Sequence, residues 1–187
     1  MLFPPDLKLV NYGDAAAEQV AREKLETILK WLETQMPLDF SHIGRVVYDP
    51  EAIGGSFQAL GGGEKGLGVV QVGGRHIISG AKKSGPAVAG TLAHEFQHGF
   101  DAAADTGRFR ARIRRGEKAV NSAPLELARR VYQRTGVEKY ANARMIEVIR
   151  AARRSPLIRK IGPLALLLAV LGSGAALLSG GRNSEST

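Results

Sequence analysis

Cysteine is missing from all 187 residues. Its absence excludes a disulfide framework, a cysteine-based zinc knuckle and a thiol nucleophile. It leaves the compartment open, because a cysteine-free chain suits the cytosol and the exterior equally. Histidine is scarce: there are four, so two at metal-ligand spacing carry weight. Acidic residues are in the minority, 18 against 26 Lys and Arg, for a net charge of +8. That balance suits anionic partners (nucleic acid, anionic lipid or an acidic substrate), or serves solubility and membrane-flanking charge. The opening Met1-Leu2-Phe3-Pro4-Pro5-Asp6 lacks the basic and apolar regions of a secretory signal, so none is expected there. No internal repeat is visible, and the glycines of residues 53–80 lack the GxxxxGK[ST] spacing of a phosphate loop.

What is present suits one α+β domain with a real core. Residues 14–36 predict an amphipathic helix with Asp14 as N-cap, apolar Val20, Leu25, Ile28, Leu29 and Leu32, and Pro37 as its stop. Arg45–Tyr48 reads as a strand closed by an Asp49-Pro50 turn. Ser56–Leu60, Leu67–Val72 and Arg75–Ser79 read as short strands joined by turns at Gly61-Gly62-Gly63 and Gly73-Gly74. A helix opens near Gly85-Pro86 and runs to about Asp105. Two more are expected over Pro124–Arg134 and Val137–Arg154. The small sheet is thus followed by helices over residues 1–154, and residues 155–187 form an appendage.

The chemistry concentrates in His94-Glu95-Phe96-Gln97-His98. Positions i and i+4 share a helix face, so both imidazoles can reach one metal ion. Glu95 stands beside the first of them, placed to hold a water and accept its proton. Thr91, Leu92, Ala93, Gly99 and Phe100 around the motif are uncharged. A buried metal helix needs this, because a stray charge beside the ion is costly to desolvate. For the third ligand the residues alone leave Glu138, Asp101, Glu126 and Glu147 open; Asp101 shares the histidine face at i+3 from His98. Tyr140, Arg144, Tyr132 and His76 are candidate donors to a developing oxyanion.

Thr91-Leu92-Ala93-His94-Glu95-Phe96-Gln97-His98-Gly99-Phe100 resembles the extended signature of the zincin metallopeptidases. No histidine follows His98, which excludes the metzincin branch. Glu138-Lys139-Tyr140-Ala141-Asn142 resembles the ExxAN segment of the gluzincins. That resemblance implies a zincin-like fold, zinc held by His94, His98 and Glu138, Glu95 as catalytic base, and Tyr140 as the favoured donor. It also implies a peptide strand laid along His76-Ile77-Ile78-Ser79.

Two features lie outside the motif. Arg108, Arg110, Arg112 and Arg114 alternate with Phe109, Ala111 and Ile113. Extended, they would form one cationic ridge; helical, a solvated basic surface. No nucleic-acid fold accompanies them, so nucleic acid is not an expected partner. Ile161–Leu178 carries no charge. With Ser179-Gly180-Gly181 it spans about 27–31 Å as a helix, roughly a bilayer core. Arg153, Arg154, Arg159 and Lys160 precede it, which predicts a single-pass anchor (about 161–180) with the catalytic domain on the cytoplasmic side. Gly172, Ala176 and Gly180 form a small-residue stripe suited to homo-oligomerisation.

The expected function is a membrane-tethered, zinc-dependent endopeptidase acting on peptide or protein substrates. The rivals are a structural or membrane-inserting component of a phage particle or mobile element with an architectural zinc site, and a cell-wall amide hydrolase.

Overall fold

The computed structural model describes residues 5–36, 38, 40–59, 68–122, 124, 127, 130 and 135–162. Strand β1 (Asp6–Leu9) leads into helix α1 (Ala15–Gln35), strands β2 (Ile43–Ile53), β3 (Gly55–Gln58) and β4 (Gly68–Arg75), then helices α2 (Gly85–Ala104), α3 (Thr106–Asn121), α4 (Gly136–Arg154) and α5 (Pro156–Arg159). The sheet order is β1-β2-β4-β3. β1, β2 and β4 run parallel, and β3 pairs antiparallel with β4. The expected α+β class with a small sheet is what the chain adopts, and the sheet is mixed.

Helix α1 forms where its apolar period predicts. Asp14 accepts from the Ala16 N–H at 2.9 Å, satisfying one of the free donors at the helix start. Leu25, Ile28, Leu29 and Leu32 turn one stripe inward. They meet Val46, Tyr48, Val70 and Val72 of the sheet and Val88, Leu92 and Phe96 of α2 in one apolar cluster. β1 was not anticipated. Its four residues pair with Arg45–Tyr48, and Asp6 accepts from the Arg45 guanidinium at 2.7 Å.

The glycine-rich region differs from expectation in three ways. β2 does not stop at Asp49-Pro50 but continues to Ile53 through a register shift against β4 between Asp49 and Ile53. Asp49 Oδ1 accepts from the Glu51 and Ala52 N–H groups there, which is how a proline fits inside the strand. Gly73-Gly74 is strand, not turn. A Cβ at Gly73 would lie 2.4 Å from the Ala52 carbonyl oxygen, and one at Gly74 2.6 Å from that of Pro50, so only glycine lets the bulged strand press so close. The strand expected over Arg75–Ser79 ends at Arg75; residues 77–79 form a turn, closed by an antiparallel Arg75–Lys82 bridge. Gly61–Gly63 lies outside the described residues.

Helix α2 is buried around most of its circumference, which explains why Glu95 and Asp101 are its only acidic residues and why it has no Lys or Arg. It packs against α4 through Gly90, where a Cβ would fall 2.4 Å from Ile149 Cγ1. The arginine stretch is helix α3, so its extended-ridge reading is set aside. Phe109 turns inward while Arg108, Arg110, Arg114 and Arg115 face solvent. The helix expected over Pro124–Arg134 falls largely outside the described residues.

The packed unit runs past residue 154. Ile158 is fully buried and Ile161 nearly so, and the Ile161 carbonyl accepts from the Gly85 N–H at 2.8 Å. Among the described residues no helix is long and apolar enough to cross a membrane. Residues 163–187, with most of the expected anchor and its Gly172/Ala176/Gly180 stripe, lie outside the described residues.

Candidate metal centre

α2 and α4 lie side by side, and each contributes to one cluster. One turn of α2 separates His94 from His98, and their Nε2 atoms converge to 3.1 Å. Glu138, in the first turn of α4, brings Oε2 to 3.2 Å from His94 Nε2 and Oε1 to 3.4 Å from His98 Nε2. The helix N-terminus favours a carboxylate at that position. Glu95, His98 and Glu138 are all buried and His94 is partly so.

These separations have a simple geometric meaning. Ligand atoms about 2.0–2.1 Å from a tetrahedral zinc ion stand roughly 3.3 Å from one another. The 3.1 Å between the imidazole nitrogens is close to one such edge, and Glu138 turns a different oxygen to each nitrogen at similar distances, 3.2 and 3.4 Å. Both Nδ1 atoms are buried without a hydrogen-bond partner among the described residues, so it is the Nε2 atoms that are presented to the cluster. His94, Glu95 and His98 offer ligand atoms within 4.8 Å of one another, a group that could hold a metal ion. The Glu138 distances to the two imidazole nitrogens, 3.2 and 3.4 Å, bring its carboxylate into the same cluster.

The two carboxylates titrate in opposite directions. Burial raises the Glu138 carboxyl, but hydrogen bonds from His94 and His98 outweigh it and hold the group well below the usual carboxylate range. Burial dominates at Glu95 and pushes it up to about 7; His94 and Lys83 pull downward and Glu138 pushes further up. A carboxylate poised near neutrality suits a group that takes and returns a proton.

Sheet and helices close the site. A Cβ at Gly55, the first residue of β3, would fall 2.7 Å from Glu95 Oε1 and from Thr91 Cγ2. The backbone of β3 thus lies directly against the carboxylate. Phe109 stands beside His98 with ring centroids 6.2 Å apart, and Phe57 meets Phe109 edge-on at 6.5 Å. A shallow surface hollow of about 460 Å³, lined by Arg114, Lys118, Asn121 and Ser122, includes none of these residues.

The other sequence candidates are placed elsewhere. Asp101 accepts from Gln97 Nε2 at 2.9 Å through Oδ1, and its buried Oδ2 has no partner among the described residues. Glu147 is exposed and pairs with Arg144 at 2.6 Å. Tyr140 is 57% exposed. Two residues beyond Glu138, it points about 200° around the helix and is not brought to the histidines. His76 follows the last residue of β4, its N–H bonded to the Ala81 carbonyl at 2.8 Å. Glu126 and Tyr132 lie outside the described residues.

Two features of the site escaped the sequence reading: Gly55, packed on Glu95, and Lys83, a buried cation that acts on it. Nothing in Lys82-Lys83 distinguishes the inward lysine from its neighbour. Comparison with protein-family models, with curated proteins and with solved structures finds no match for this chain.

Proposed function

We propose that the chain is a zinc-dependent hydrolase, an endopeptidase of zincin-like architecture, with His94, His98 and Glu138 as the metal ligands. The observation that carries this reading is the convergence of the two Nε2 atoms, 3.1 Å apart, on the Glu138 carboxylate at 3.2 and 3.4 Å, with Glu95 alongside. Two imidazoles and one carboxylate are a donor set suited to zinc, and three protein ligands leave a fourth position for water or substrate. Zinc bound there would supply an acidified water and polarise the scissile carbonyl.

The chain's own residues do the rest. Glu95 holds the attacking water by hydrogen bond, accepts its proton and passes it to the leaving amine. Burial raises its basicity toward the working pH. Among the described residues β3 is the terminal strand of the sheet, and Gly55 lies against Glu95, so a substrate strand is proposed to add along β3 through main-chain hydrogen bonds. This moves the substrate edge from His76–Ser79, most of which is a turn, to Gly55–Gln58.

The membrane tether is part of the proposal. Counting from Pro163, the apolar run to Gly180 is eighteen residues, about 27 Å as a helix. Its basic N-terminal flank favours a cytoplasmic catalytic domain. Full-length protein should float with anionic liposomes and protein ending at Gly162 should not; equal flotation would remove the tether.

The decisive test is zinc stoichiometry together with turnover of an unfolded protein substrate. Wild type should bind one zinc and cleave, whereas Glu95→Gln should bind one zinc and not cleave. Full activity in Glu95→Gln overturns the mechanism. One bound zinc with no turnover of protein favours the architectural role, and turnover of peptidoglycan cross-bridges alone favours the cell-wall amide hydrolase.

A further inference from the structure

Between β4 and α2 the chain folds back on itself. His76 donates to the Ala81 carbonyl, Gly80 adopts φ +64°, and Lys82 bridges to Arg75. The next residue, Lys83, donates its backbone N–H to the Gly74 carbonyl at 2.6 Å and turns its side chain inward, 4% exposed. Its Nζ donates to the Gly54 carbonyl at 2.9 Å. A lysine is seldom buried so deeply, because its ammonium sheds its hydration, so such a position calls for a reason.

The partner supplies that reason. Gly54 sits at φ +79°, in the left-handed region that favours glycine, and it is the hinge between β2 and β3. Its N–H bonds to Arg75, and its carbonyl also accepts from Gly73 at 2.9 Å. Gly55 follows at once, against the Glu95 carboxylate. Lys83 also acts electrostatically on Glu95, and it is not a proposed metal ligand.

We propose that Lys83 is a positioning residue of this centre: its buried ammonium clamps the Gly54 carbonyl, holds the Gly54–Gly55 turn against Glu95, and lends the site a built-in positive charge. For its kinetic consequence this rests on the hydrolase reading; for its structural consequence it does not. A neutral donor would hold the turn without the charge, and an apolar side chain would fill the space without either. The three cases therefore separate experimentally.

The absence of cysteine makes a clean experiment available. Lys83→Cys carries the sole thiol of the chain. Alkylation with 2-bromoethylamine rebuilds an ammonium of lysine length, whereas iodoacetamide installs a neutral amide. Both adducts are made on unfolded protein and refolded with zinc. Lys83→Met serves as the uncharged variant that suits an apolar pocket. Lys83→Met and the amide adduct should bind one zinc as wild type does. Lys83→Met should exchange the Gly54 and Gly73 amides on the order of tenfold faster, having lost a charge-assisted hydrogen bond, and the amide adduct, still a donor, by an intermediate amount. Both should lower kcat on the order of 10- to 100-fold with KM little changed, the signature of a displaced catalytic group. The aminoethyl adduct should recover both. Wild-type exchange in Lys83→Met, or equal kcat in the two adducts, overturns the proposal. Should the wild-type protein cleave no peptide, the peptidase reading falls and the amide exchange alone decides the role of Lys83. If Lys83→Met fails to fold, the adduct pair decides it.

Discussion

Gly90→Ala is the sharpest test of how the two helices that carry His94, His98 and Glu138 are spaced. Gly90 lies one turn before His94, and a Cβ there would stand 2.4 Å from Ile149 Cγ1, 2.8 Å from Ile149 Cδ1 and 3.3 Å from Met145 Cγ. Carbon atoms settle about 3.5–4.0 Å apart, so the shortfall is a little over 1 Å. Ile149 is β-branched and stiff at χ1 in a helix, so part of the shortfall must be met by parting α2 from α4. Metal-ligand distances tolerate about 0.2 Å. Even half the shortfall, delivered to the gap between the histidines and Glu138, exceeds that. Overpacking costs about 1–3 kcal/mol, and replacing a helical glycine returns about 1 kcal/mol. The metal-free protein should therefore lose only about 0–2 kcal/mol, while zinc affinity falls on the order of 10- to 100-fold, as when the support of a ligand is lost. Ile149→Ala in the same chain removes both clashing atoms and should restore zinc affinity, though not full stability, because buried methylenes are gone. Urea unfolding and competitive zinc titration of the four proteins give the cycle. Zinc affinity unchanged in Gly90→Ala would refute the claim that this close approach sets the ligand geometry.

Other consequences are testable at the same bench. Glu138→Gln should weaken zinc by more than about 100-fold, more than a supporting residue costs, and Asp101→Asn should leave it unchanged; chelator competition reads both, and the opposite ranking would exchange the two carboxylates. Saturating zinc at 100 times its dissociation constant should stabilise the fold by about 2.7 kcal/mol, reversibly with EDTA in a thermal melt. Lys83 gives a pH signature: burial lowers its pKa to about 8 from 10.5. Between those values the unfolded chain binds more protons than the folded one, so stability of the metal-free protein rises with pH by at most about 3 kcal/mol. Tyr12, pushed up to about 12 by burial, works against this above pH 10, so denaturation between pH 8 and 10 is the window. A curve for Lys83→Met parallel to wild type there would remove Lys83 as the source.

The site was more legible than the sheet, and the reason is periodicity. His94 and His98 announce their common face through local spacing alone, and α1 does the same through Leu25, Ile28 and Leu32. Glu138 needed more than spacing: its approach to the histidines depends on α4 packing against α2, which no local rule encodes. The sheet misled at its glycines. Gly73 and Gly74 carry turn chemistry locally, yet the bulge of β2 makes them strand residues by pressing a backbone where a side chain would stand. β1 was invisible because four residues beside Pro4-Pro5 carry too little pattern until β2 pairs with them. Tyr140 shows the opposite error: a residue type suited to the chemistry, set on the wrong side of its helix. Lys83 was illegible because burial of a lysine is decided by the fold around it.

The division of the cluster between α2 and α4 also has a meaning in time. Glu138 follows His98 by forty residues in the chain. At a synthesis rate of about 5–20 residues per second, it leaves the ribosome roughly 2–8 s after the histidines. Through that interval the nascent chain carries His94, Glu95 and His98 without the Glu138 carboxylate that completes the cluster. The cluster is therefore assembled late, once α4 has emerged and docked, when most of the domain already exists.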